Sequence, residues 1–98
     1  LIAYTPEAQR HVDQLLRHYE LLQRPEAIRA FLTALDDAER RIARNPGAGL
    51  RAPRPYPRLA RSGRAWLKAG RYWITYSTAQ PPVIIGVFYE SADIPNRI

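Results

Sequence analysis

Between residues 64 and 95 three apolar runs are separated by two short breaks, and few folds accommodate that arrangement. Residues 65–68 form the first run, which Ala69-Gly70 punctuates. Residues 71–77 alternate Tyr72, Ile74 and Tyr76 with Trp73, Thr75 and Ser77, a period of two that sends successive side chains to opposite faces of a strand. Gln80-Pro81-Pro82 ends it, because proline has no N–H to give to a ladder. Residues 83–89 are the most apolar run in the chain and suit a central strand. Short connections between neighbouring strands favour an antiparallel meander.

The first half of the chain reads differently. Residues 1–4 are short and apolar, an edge strand that would complete the sheet. Thr5-Pro6-Glu7 is a helix start, with Thr as cap, Pro at the first helical position and Glu at the positive end of the dipole. Ala8, Val12, Leu15, Leu16, Tyr19 and Leu22 then form one apolar stripe at helical spacing. Residues 23–26 break and restart the helix. Ile28, Phe31, Leu32, Leu35, Ala38 and Ile42 form a second stripe, which Asn45-Pro46-Gly47 stops. Two amphipathic helices with so short a link should pack as a hairpin.

Residues 48–57 carry Gly49, Pro53, Pro55 and Pro57 and read as an extended connector, with a first short strand expected at residues 58–61. The expected fold is therefore α+β, with an N-terminal strand, a helical hairpin, and then an antiparallel sheet of three to four strands. Ninety-eight residues hold one core, so residues 1–98 read as a single domain.

Charge divides the chain more sharply than its net +6 suggests. Residues 1–39 hold seven acids and four bases, whereas residues 40–89 hold ten Lys or Arg and no acid. Such a half generates a positive potential over one side of the domain, suited to nucleic acid or an acidic protein segment. The absence of cysteine excludes disulfides and thiolate metal sites and fits a reducing cytoplasm. No apolar run reaches the length of a membrane span, and no signal peptide is visible.

The strong catalytic and metal motifs are missing. His11 and His18 share a helix face but stand about 10 Å apart by helix rise, too far to chelate one ion, and read as ordinary helix residues. Asp36, Asp37 and Glu39 read as a solvated helix face. No metal or cofactor is expected. One face of the sheet must bury against the helices. The other, whether that of Tyr72 and Tyr76 or that of Trp73, would carry aromatics beside Arg58, Arg61, Arg64, Lys68 and Arg71, a combination that suits base stacking with phosphate contact and equally a peptide laid across a sheet.

Four segments, in this order and spacing, carry a resemblance: YTPEA at residues 4–8, RRIARNPGAG at 40–49, LKAGRYWITY at 67–76 and VFYESADIP at 87–95. Together they resemble the RelE/ParE superfamily of bacterial type II toxins, over nearly the whole chain. The resemblance implies a compact toxin of strand, helical hairpin and antiparallel sheet, held inactive in a hetero-oligomer with a ParD-like antitoxin whose C-terminal segment is acidic. RelE-like members are ribosome-dependent endoribonucleases that stabilise the phosphate transition state with Arg and Lys and use a Tyr or His near the C-terminus. ParE-like members lack that set and poison DNA gyrase.

Here Gly86 stands where the superfamily commonly has Arg, Tyr89 where it commonly has His, and Trp66 where another Arg is frequent. Glycine cannot donate to a phosphate, and an unperturbed phenol titrates near pH 10. These departures favour the gyrase poison, with no catalytic residues. Arg58, Arg61, Arg64, Lys68, Arg71, Trp73 and Tyr89 would then contact antitoxin or target. The alternatives are an mRNA endoribonuclease using Arg64, Lys68, Arg71 and Tyr89, and a small basic adaptor for acidic peptides or RNA.

Overall fold

The computed structural model describes residues 2–97, so Leu1 of the expected edge strand lies outside the described residues. Thr5 is extended, and its hydroxyl accepts from the Ala8 N–H at 3.1 Å, which starts helix α1 (Pro6–Leu21). Gln23, at φ 54°, turns the chain, and α2 (Pro25–Arg44) begins at the second proline. Ala8, Val12 and Tyr19 of α1 are buried together with Phe31, Ala34, Leu35, Ala38 and Ile42 of α2. Leu22 and Leu32, assigned to the same stripes by their spacing, are instead 52 % and 49 % exposed.

Four strands follow the order β1-β4-β3-β2, with β1 at Ala3–Tyr4, β2 at Arg64–Ala69, β3 at Tyr72–Ser77 and β4 at Val83–Tyr89. The fold is α+β, as expected. The sheet is mixed, however, rather than antiparallel throughout, because β1 pairs with β4 in parallel, Ala3 opposite Val83 and Tyr4 opposite Ile84. A parallel pair needs a long crossover, and the helical hairpin with β2 and β3 supplies it. Gly70, at φ +55°, occupies the first of two turn positions between β2 and β3, where a side chain would strain the backbone.

Between β3 and β4 the register shifts, with Thr75 opposite Gly86 and Tyr76 opposite Ile84, so Ile85 is an extra residue. The bulge lets Ile84 and Val87, three positions apart, both join the core beneath the helices, while Phe88 lies in a second cluster. That second cluster joins Trp66, Trp73, Phe88 and Ile94 under Tyr56, Leu59 and Ala92. The sheet thus has a core on each face.

The connector covers the outer face. Residues 58–61 form no strand, contrary to the expectation, and Pro57–Leu59 is a 3-10 turn. Pro53, Pro55 and Pro57 have no N–H for a ladder, and the turn instead sets Tyr56 and Leu59, three apart, against the tryptophans. Only Leu50 pairs like a strand, exchanging two 2.7 Å backbone hydrogen bonds with Trp66. Among the described residues no helix is long and apolar enough to cross a membrane.

Candidate functional site

A groove of about 1070 Å³ opens where the far end of the helical hairpin meets the β2–β3 turn and the end of β4. His11, His18 and Tyr19 of α1 and Leu22 just after it line one side, and Arg71 of the β2–β3 turn with Tyr72 and Tyr89 of the sheet line the other. The Tyr19 and Tyr72 hydroxyls share a hydrogen bond, and the Tyr72 and Tyr89 rings meet edge to face at 5.6 Å. Burial, and then the Tyr19 hydroxyl, push the Tyr72 phenol well above its ordinary value, so it stays neutral. The Tyr89 hydroxyl, and then Glu90, hold the Arg71 guanidinium above its own.

Glu90 organises the charges at the groove's rim. Its carboxylate lies 3.2 Å from Lys68 Nζ and 3.4 Å from Arg71 Nη1. Lys68 also sits 5.4 Å above the Trp73 ring, and Arg54 stands 5.9 Å from the same ring. Lys68, Arg71 and Tyr89 therefore meet at one end of the sheet, with an acid between the two cations.

The remaining expected residues lie elsewhere. Arg64 begins β2, about 13 Å from Lys68 by strand rise, and Arg61 precedes it in an exposed turn. Arg58 is exposed on the 3-10 turn over the outer face. Trp73 is 3 % exposed and Trp66 1 % exposed, so neither ring is offered to a base or a peptide. The expected open aromatic face is closed because the connector and the Ala92–Ile94 segment cover it. What remains outside is a basic strip of Arg51, Arg54, Arg58 and Arg61, all exposed.

Gly86 belongs to this covered face. A Cβ there would lie 2.8 Å from Phe88 Cε2 and 3.1 Å from Thr75 Cγ2. The position has no room for a longer side chain.

No family model, curated protein or solved structure matches the chain.

Two residues at the groove acquire roles that sequence reasoning missed. His11 Nδ1 accepts the Val87 N–H at 3.2 Å, and its ring packs 4.8 Å from that of Phe88. Its position was legible, since it falls three after Ala8 and one before Val12, on the border of the apolar stripe. Glu90 was not legible, because only the extra residue Ile85 sets Tyr72 opposite Tyr89 and so brings Glu90 beside Arg71. The Glu90 N–H donates to the Arg71 carbonyl at 2.8 Å. Of the helix acids, Asp36 and Asp37 pair with Arg40 and Arg41 one turn on, and Glu39 accepts the Tyr4 hydroxyl at 2.8 Å.

Proposed function

We propose that this chain is the toxin of a type II toxin–antitoxin pair, of the gyrase-poisoning ParE-like branch of the RelE/ParE superfamily. The four quoted segments support the reading, as does the order of strand, helical hairpin and meander. The observation that carries the choice of branch is the surrounding of Gly86. A nuclease aims donors at the charge developing on the phosphate, and losing one donor costs about 2.7–4 kcal/mol. Gly86 supplies none, its neighbours leave no space for one, and Lys68 and Arg71 both spend donors on Glu90.

Binding suits this surface better than cleavage. Leu21, Leu22 and Leu32 are 76 %, 52 % and 49 % exposed on the helical side of the sheet, and Leu22 lines the groove. A ParD-like antitoxin would lay an amphipathic helix along these leucines and run its acidic segment over Arg58 and Arg71. A cytoplasmic target and partner fit a chain without cysteine.

One observation favours the ribonuclease reading, namely that Tyr89 stands beside Arg71. Inducible expression of wild type and Tyr89→Phe separates the two. The gyrase reading expects growth arrest in both, because the ring still packs and only the hydroxyl is lost. Arrest by wild type that vanishes in a folded Tyr89→Phe chain would favour the ribonuclease. Harmless overproduction of wild type would contradict both toxin readings and leave the basic adaptor.

A further inference from the structure

β1 covers only the first two residues of β4, at Val83 and Ile84. Beyond it the edge of β4 would present bare backbone groups, which in an unprotected sheet recruit other strands. Helix α1 and its cap cover them. The Thr5 N–H donates to the Ile84 carbonyl at 2.9 Å, and the Thr5 hydroxyl to that of Ile85 at 3.4 Å. Further along, His11 Nδ1 takes the Val87 N–H. Of these edge contacts only the last depends on a titratable group. An imidazole that accepts through Nδ1 must be neutral and carry its proton on Nε2, because an imidazolium has two donors and no acceptor.

We propose that His11 is a proton-operated latch that holds α1 against the edge of β4 when neutral and releases it when protonated. Release leaves the Val87 N–H without a partner and turns a donor toward a donor. Because His11, Val87 and Phe88 all line the groove, its wall loosens with the latch. The charged groups around His11 are Glu7 and Arg10 on its own helix and Arg97 from the C-terminal segment. The facing backbone of β4, from Gly86 to Phe88, carries no titratable side chain. His18, Arg24, Glu26, Arg71 and Tyr89 line the rest of the groove. Burial, the largest influence, favours the neutral ring, and Arg10 and Arg97 act in the same direction against Glu7.

This inference is independent of the toxin reading and needs no activity to test it. NMR of the intact chain would follow the His11 ring and amide-exchange protection factors from pH 7.5 to 5. The expected result is the Nε2–H tautomer at pH 7.5. Val87 protection should then fall about tenfold as His11 titrates, the effect of one orphaned donor, while Ile74 at the centre of the sheet stays protected. In His11→Gln, whose amide oxygen can accept without titrating, the Val87 step should vanish. An Nδ1–H tautomer in wild type would overturn the latch. So would Val87 protection that ignores the His11 titration, or that falls only together with Ile74. Should the variant not fold, the wild-type tautomer and the Val87–Ile74 comparison still decide.

Discussion

At Gly86 a side chain would crowd its neighbours. Its Cα faces the Phe88 ring and the Thr75 methyl so closely that even a methyl must displace them. Gly86→Ala should therefore cost about 1–3 kcal/mol as an overpacking change, read as a lower denaturant midpoint at unchanged slope. An unchanged midpoint would mean that Phe88 moves freely and that the position could host a donor after all. Glu90 poses the complementary question, since it neutralises two cations on a partly exposed rim. Glu90→Gln should change stability by less than about 1 kcal/mol, as exposed pairs generally do. It should nonetheless tighten binding of an acidic peptide at low salt, with the gain fading as ionic strength rises. Titration calorimetry at two salt concentrations checks this, and equal affinities for the two proteins would remove Glu90 from the electrostatics of the site.

At the scale of elements, the structure turns on how strand edges and sheet faces are covered. On β2, Leu50 pairs with Trp66, and Arg41 donates to the Lys68 carbonyl at 2.8 Å. On β4, β1 is followed by Thr5 and then His11. Thr5 both caps α1 and covers the edge, so Thr5→Ala should cost at least the usual ~1 kcal/mol of a lost cap. Thermal unfolding measures it, and a loss of a few tenths would show that neither contact matters. The helices were legible because Thr5-Pro6, Pro25 and Asn45-Pro46 bracket stripes of period 3.6, and β3 because its aromatics alternate. Three features were not legible. The Ile85 bulge changes which face later residues take without leaving any mark in composition. The parallel direction of β1 depends on where the meander ends. The connector's cover of Trp66 and Trp73 depends on Tyr56 and Leu59 meeting them across the sheet, a long-range contact that no local pattern encodes.

For the molecule as a whole, these contacts predict how stability follows pH. His11 is held below its ordinary value near 6.5 in the folded state, chiefly by burial. Above that value neither state holds the proton. As pH falls below it, the unfolded chain takes up a proton that the folded chain resists, so stability declines until pH has passed the lower, folded value. The midpoint of thermal unfolding should drop between pH 7.5 and 5.5, and drop less in His11→Gln. Equal slopes in both proteins would place the pH dependence on other groups. Charge is the second whole-molecule property. Exposed Arg51, Arg54, Arg58 and Arg61 gather on the connector rather than on the strands, so a partner drawn by charge meets the outer face first. Charge reversal at Arg58 should weaken binding of the proposed antitoxin and flatten its salt dependence, and an unchanged affinity would confine that recognition to the hairpin leucines. We propose that this surface binds gyrase and does not cleave RNA. The most direct measurement adds purified protein to DNA gyrase with plasmid and, in parallel, to ribosomes carrying mRNA. We predict accumulation of cleaved gyrase–DNA complex with intact message, equally for wild type and Tyr89→Phe. Message cut by wild type and spared by Tyr89→Phe, with gyrase unaffected, would contradict the account.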